Sequence, residues 1–305
     1  MNIFRNYRPV LALMILLAAG TLVLSLSARA AETDPLRVIV IDVRQGDATL
    51  VISPEGKTML LDAGQMGSRY STYDAGRDTI IPLMKSLGLD RVDVLVVTHP
   101  HADHIGGVPA IMEEFPVGVI YDSGYPHTVS AYERMLELAR ERKIPVKIPI
   151  AGDLIPFGDH VTVQVLGPTL PLERRSFMGI NNQSVVIRVE YGDFSFLNTG
   201  DAEHELEGMM ISSGARLKST VLNTGHHGSR TSTGPEFFAM VNPEVAVISA
   251  GKRNRFSHPD WEVMDRLRKA GTRVMRTDYH GHIIFTSDGE TYEVDSTPVI
   301  EDLTE

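Results

Sequence analysis

The stretch Thr98–Gly107, THPHADHIGG, follows the apolar run RVDVLVV (91–97). It packs His99, His101, Asp103 and His104 into six residues of a chain with only 11 histidines. The valine-rich run reads as a strand. Side chains two apart at a strand end point to the same side, so His99 and His101 are placed to grip one ion. Past them the chain turns toward a helix, where Asp103 and His104 face a second position nearby. Imidazole plus carboxylate, without sulfur, suits Zn2+, Mn2+ or Fe2+. Two such ions about 3.5–4 Å apart share a hydroxide and clamp an in-line displacement. Scattered surface histidines do not explain H-x-H-x-D-H at a strand-to-loop junction, because the pattern fixes both ligand type and spacing.

Outward from this point the chain alternates strand-like and helix-like segments. RVIVIDV, ATLVIS and KTMLLDAG read as strands before it, with Pro54-Glu55-Gly56 turning between the last two. VTVQVLG, SVVIRVEY, FSFLNTG, STVLNTG, VAVISAG and HIIFTSD read as strands after it. Helices are expected at 78–87, at 204–212 and at 260–270. SAYERMLELARERK is the clearest amphipathic helix. Many strands with helices between them give an α/β protein with covered sheets. ATLVISPEGKTMLLDAG and SVVIRVEYGDFSFLNTGD each run strand, turn, strand and end in an acidic residue beside glycine. That echo suggests two similar halves of one domain, 31–305.

The first thirty residues read separately. Arg5 and Arg8 form a basic start, Val10 to Leu26 is almost wholly apolar, and Ala28-Arg29-Ala30 is a small-x-small cleavage site. The expectation is a signal peptide over residues 1–30 and an exported protein, periplasmic or extracellular. The alternative is an uncleaved segment that anchors the chain in the membrane. The chain has no cysteine, which excludes disulfides, thiolate ligands and a thiol nucleophile. Without Arg5, Arg8 and Arg29 the chain keeps 26 basic against 39 acidic residues, a net charge of −13. Such a protein does not attract polyanions through its overall field, so no stable nucleic-acid complex is expected. A nucleic-acid substrate must be held by metals and a local basic patch.

THPHADHIGG resembles the signature of the metallo-β-lactamase superfamily. IDVRQGDATLV, LLDAG, NNQSVVIRVEYG, FLNTGDA, VLNTGHHGSRTS and NRFSHPDWEVMDRL stand in an order similar to the hydrolase domain of the ComEC family of DNA-uptake channel proteins. The resemblance implies a four-layer αββα sandwich with the site at one edge, between the sheets. It implies that His99 and His101 hold the first metal, that Asp103 and His104 hold the second with a histidine of HHGS, and that Asp201 in NTGDA bridges both. His226 is assigned to the metal and His227 to the substrate side, with the opposite assignment left open. Asp62, and Asp47 in VRQGD, are read as structural residues near the site. Superfamily members usually supply a further histidine before the bridging aspartate. Here NNQS stands instead, so Asn182 or Ser184 is expected to reach the first metal directly or through water. A site richer in oxygen leans toward Mn2+ over Zn2+. Arg44 stands where the family has glycine, as a tolerated loop change or an extra cation facing the substrate.

The expected reaction is phosphodiester hydrolysis by a hydroxide held between two divalent ions, Zn2+ or Mn2+. Asp103, His227 and His258 are the candidate catalytic residues, with His227 or His258 protonating the leaving oxygen. His258 reads equally as a helix-entry residue before PDWEV. Ser229 and Arg230 follow the histidine pair, and Lys252, Arg253 and Arg255 lie beside His258. That clustering favours an anionic phosphodiester, DNA first, although aromatics are sparse and no stacking platform for a single strand is evident. The alternatives are lactone or β-lactam ring opening and a non-enzymatic metal-binding component of a DNA-uptake or envelope complex.

Overall fold

The structure, a computed structural model, describes residues 34–67 and 71–297. The expected signal peptide lies outside the described residues. Among the described residues no helix is long and apolar enough to cross a membrane.

Fifteen strands are described: β1 Leu36–Val40, β2 Thr49–Ile52, β3 Thr58–Leu61, β4 Val92–Val97, β5 Val117–Asp122, β6 Val146–Lys147, β7 Leu154–Ile155, β8 Thr162–Gly167, β9 Val186–Tyr191, β10 Phe194–Asn198, β11 Val221–Asn223, β12 Val245–Ile248, β13 Arg273–Arg276, β14 Ile283–Ser287 and β15 Tyr292–Ser296. They form one sheet in the order β15-β14-β1-β2-β3-β4-β5-β6 and another in the order β13-β12-β11-β10-β9-β8-β7.

Strand alternation sorts the apolar residues into three layers. In β4, Val94 and Val96 turn inward while Leu95 and Val97 turn outward. In β10, Phe194 and Phe196 turn inward and Leu197 outward. The inward residues of both sheets share one buried cluster. The outer face of the first sheet is covered by Val108, Ile111 and Met112 of helix Val108–Glu114 and by Met135 and Leu138 of helix Ser130–Glu141. The outer face of the second packs Leu206 and Met210 of helix His204–Ser212, Phe237 of helix Pro235–Val241 and Leu267 of helix Trp261–Lys269. The order helix, sheet, sheet, helix is the expected αββα sandwich.

The internal echo is real. Strands β1 to β5 pair antiparallel, antiparallel, parallel, parallel, and β8 to β12 repeat that series. In each half, loops leave the C-terminal ends of the parallel strands at one edge. Those loops carry His99, Asp201 and His227.

Five strands were not anticipated: β5, the two-residue β6 and β7, β13 and β15. The β5 sequence VGVIYD has glycine at its second position, and β15 is partly exposed with an alternating acidic face, so neither shows a simple apolar pattern. The expected helix at 78–87 is a π-helical turn, Gly76–Ile80, followed by helix Ile81–Ser86.

Candidate metal centre

Strand β4 runs into Thr98, and Asp62, directly after the neighbouring β3, fixes what comes next. Its carboxylate accepts from the Thr98 amide at 2.8 Å and from the Thr98 hydroxyl at 2.7 Å. It also lies 2.8 Å from Nδ1 of His104. A ring nitrogen held this way leaves Nε2 free to face the site. Asp62 has a φ of 55° and is fully buried. Burial raises its pKa, and His104 and Thr98 only partly offset that. These contacts tie the start of the histidine loop to the end of β3.

The adjoining loops interlock through their backbones. The Asp47 amide donates to the Asp103 carbonyl at 3.1 Å, the Gly64 amide to Asp47 at 2.8 Å, and the Ala63 amide to His104 at 2.7 Å. Gly46 makes this approach possible. Its φ is +130°, and a Cβ there would stand 2.2 Å from the Asp103 carbonyl oxygen.

Two donor groups result, and they share one carboxylate. His99, His101 and Asp201 bring ligand atoms within 4.8 Å of one another, as do Asp47, His104, His227 and Asp201. Oδ2 of Asp201 is 3.5 Å from Nε2 of His99, while Oδ1 is 3.1 Å from Nε2 of His104 and 3.7 Å from Nε2 of His227. Despite these distances, Oδ1 of Asp201, Nε2 of His104, Nε2 of His227 and both carboxylate oxygens of Asp47 are buried without a hydrogen bond. They are close together but out of line for one another. Buried polar atoms left this way are costly unless something binds them. Convergent imidazole and carboxylate donors fit divalent cations.

Charge supports the same fit. Burial alone would raise Asp201, but His104, His227 and His99 hold it well below the ordinary carboxylate value. Burial alone would lower His104 and His227, yet Asp201 and Asp62 raise the first well above the ordinary imidazole value, as Asp201, Asp103 and Asp47 raise the second. His99 and His101 are lowered, first by burial and then by the charge of His104.

The histidine pair departs from the expected assignment. Both residues are left-handed, with φ 50° at His226 and 55° at His227. This uncommon conformation for side-chain-bearing residues sends the two rings apart. His227 is the buried one. Its Nδ1 meets the Ser249 carbonyl at 2.9 Å, and its Nε2 lies 3.4 Å from Oδ2 of Asp103. His226 is partly exposed, with Nδ1 3.4 Å from Glu203 and Nε2 3.6 Å from Oδ2 of Asp201. The residue expected on the metal is thus partly exposed, with only Nε2 turned to the shared carboxylate, and its neighbour closes the second donor group.

Asp103 lies beside that group rather than within it. Burial would raise its carboxyl, but the contact with His227 and the charge of His104 hold it below the ordinary value. Asp47, read as structural, supplies a ligand atom to the group. It ends a Gly–Asp pair like that of Asp201, which is the signal sequence reading passed over.

Asn182 and Ser184 part company. Asn182 accepts from the Glu203 amide at 2.9 Å and the Leu206 amide at 3.3 Å and donates to Glu205, so it caps helix His204–Ser212. Ser184 is the one at the site: its hydroxyl accepts from the Asp201 amide at 3.1 Å and lies 3.5 Å from Nδ1 of His99. Ser229 is turned to Thr231 and holds the local turn. Arg230 is exposed. Burial and the nearby His226 and His227 push His258 down to about 4. Its ring sits 5.6 Å from that of His226. His127 places its ring 6.3 Å from that of His101.

Residues 41–252 match the model of the metallo-beta-lactamase superfamily. The chain is 33% identical to ComE operon protein 3 of Bacillus subtilis (strain 168) over 81% of this chain and 32% of that protein. It is 33% identical to Competence protein ComA of Neisseria gonorrhoeae over 89% of this chain and 35% of that protein. It therefore spans about a third of the length of these relatives. Among solved structures, CmlA, a diiron beta-hydroxylase from Streptomyces venezuelae, aligns with a TM-score of 0.54 at 16% identity. That alignment covers 84% of this chain and 55% of that one, and a likeness at that identity concerns the fold alone. The matched model spans the whole segment from Ile41 to Lys252, with every donor of both groups inside it, and on that ground the chain belongs to the metallo-β-lactamase superfamily.

Proposed function

We propose that this hydrolase-family chain is a dinuclear metal-dependent phosphodiesterase acting on nucleic acid, DNA first. The observation that carries the reading is the sharing of Asp201 by two buried donor groups. His99 and His101 would hold one ion and Asp47, His104 and His227 the other, with Asp201 common to both and Asp103 beside the second. Three carboxylates in the set lean toward Mn2+ over Zn2+. When bound, such ions supply Lewis-acid polarisation of a phosphoryl oxygen and acidification of water.

The chain's own residues divide the remaining work. Asp62 keeps His104 in one tautomer. Ser184 positions Asp201 and His99. His226, with one nitrogen beside Glu203 and the other toward the site, suits donation of a proton to the departing oxygen. His258, depressed to about 4, is neutral near pH 7 and does not suit that task. Arg230, Lys252, Arg253 and Arg255 cluster on the two loops that carry His226 and His258, which suits a polyanion. The basic, apolar and small-residue pattern of residues 1–30 supports export as part of this proposal.

The test is metal-stripped protein resupplied with Mn2+ or Zn2+ and assayed on linear and plasmid DNA, bis-p-nitrophenyl phosphate and a chromogenic β-lactam. Metal-dependent DNA cleavage that disappears in Asp103→Ala is the expected result. Lactam turnover without phosphodiester cleavage overturns it.

A further inference from the structure

The loop between β12 and helix Trp261–Lys269 presents flat groups to solvent beside the metal centre. The ring of Phe256 stacks on that of His258, centroids 5.8 Å apart and planes 15° from parallel. The Arg255 guanidinium lies over the same phenyl ring, 4.7 Å from its centroid. His258 in turn meets the ring of His226, whose Nε2 is 3.6 Å from the shared carboxylate. A series of flat groups thus runs from the metal centre outward through His226 and His258 to Phe256, with Arg255 beside the same phenyl ring.

Its outer end is open. Phe256 is 47% exposed, and Trp261, at the start of the following helix, is 71% exposed. Phe177 is 67% exposed on the loop that leads to Asn181, whose amide nitrogen is 3.4 Å from Nδ1 of His226. Large apolar groups scattered over a surface are ordinary. Here three of the four exposed aromatics among the described residues lie on, or directly after, loops that carry residues beside His226. The fourth, Tyr279, lies under the Arg276 guanidinium. Lys252, Arg253 and Arg255 belong to the same loop as Phe256, so the exposed rings sit among cations.

From this we infer that Phe256, backed by His258 and Arg255, is a stacking platform for an unpaired nucleobase of a polynucleotide whose phosphodiester lies at the metal centre. The inference rests on the phosphodiesterase reading and adds its substrate class, single-stranded nucleic acid. Base-on-aromatic stacking is tolerant of sequence because every base has a π-face, while cations alongside follow the backbone. A paired base inside a duplex offers no free face, so the platform discriminates against intact double strands. The platform was not apparent from composition, because three flat groups within four residues suffice once the loop folds them together.

The test uses the full chain with Mn2+ and two oligonucleotides of equal length, one with bases and one with abasic sites around the scissile position. In the native protein the abasic oligonucleotide is expected to show a KM about tenfold higher. In Phe256→Ala the KM values of the two oligonucleotides converge, and in Phe256→Tyr the gap returns. Fluorescence of Trp261, the one tryptophan of the chain, should change on binding the base-bearing oligonucleotide more than the abasic one. Cleavage by the native protein with no difference between the two overturns the platform while leaving the phosphodiesterase reading intact. A gap that persists in Phe256→Ala does the same. Absence of cleavage of either oligonucleotide overturns the nuclease reading and the platform with it.

Discussion

Oδ1 of Asp201 lies 3.1 Å from Nε2 of His104, and both side chains are shielded from water. The other oxygen of the same carboxylate faces His99, so one residue serves both donor groups. Asp201→Ala is expected to lower the affinity for both ions and to reduce activity by about a hundredfold or more. Asp47→Ala is expected to weaken one ion only. Metal content after dialysis distinguishes them: near-zero retained metal for the first, about one ion for the second. Equal loss in both would show that Asp201 is not shared.

The metal-free protein has a sharp pH signature. His104 and His227 are raised above the ordinary imidazole value of 6.5. The stability they contribute is complete below that value and is lost as pH rises toward their folded values. His99, His101 and His258 are lowered, so below 6.5 the unfolded chain binds protons that the folded chain does not, and stability falls as pH falls. For these histidines the two trends meet near pH 6.5; Glu207 and Asp122, raised by burial to about 7 and about 6, also lose stability as pH rises, so the melting temperature of chelator-treated protein should fall as pH rises above 6.5. Asp201 and Asp103, held low, keep their contribution throughout this range and lose it only in strong acid. Metal binding must displace the protons of His104 and His227, so loading should strengthen with pH and move the stability maximum upward. A flat profile between pH 5 and 8 without metal would contradict the charge arrangement.

His226 and His227 are adjacent in sequence but differ in surroundings, and their variants should differ in kind. His227→Ala removes a buried ligand atom and is expected to lose an ion and about a thousandfold in kcat. His226→Ala leaves both donor groups in place and is expected to keep its metal while losing about ten- to hundredfold in kcat. Metal analysis alongside kcat separates the two. Loss of metal in His226→Ala would restore the assignment that the sequence favours.

These cases show where sequence reading reaches and where it stops. His99, His101 and His104 are legible because strand-end spacing and residue type together specify a ligand set. Asp201 is legible because the family resemblance picks out NTGDA and because, like Asp62 of the first hairpin, it is a carboxylate near glycine at a strand end. The choice between His226 and His227 is not, because it depends on two consecutive left-handed residues whose φ values spacing does not encode. Asp47 is missed because its approach to His104 depends on Gly46 passing against the Asp103 carbonyl, a contact between segments far apart in the chain. The fold is legible wherever apolar residues alternate, as in β4 and β10. It fades where glycine or charge interrupts the pattern, as in β5 and β15.

The NNQS segment gives the last prediction, because two neighbouring residues with the same expected role have different ones. Asn182 accepts from two amides at the start of helix His204–Ser212. Glu203 precedes that helix without a side-chain cap of its own. Asn182→Ala should therefore cost about 1 kcal/mol, as loss of a helix cap does. For a chain of this size that corresponds to about 2–4 °C in melting temperature. Metal affinity should change little. Ser184 instead supports the Asp201 amide and lies against His99. Ser184→Ala should weaken metal binding about tenfold or more, the scale seen when a residue orienting a ligand is removed. Titration of the stripped variants with Mn2+, beside thermal melts without metal, tests both at once. If Asn182→Ala loses metal affinity and Ser184→Ala does not, the first ion draws on the asparagine, and the capping bonds are incidental to it.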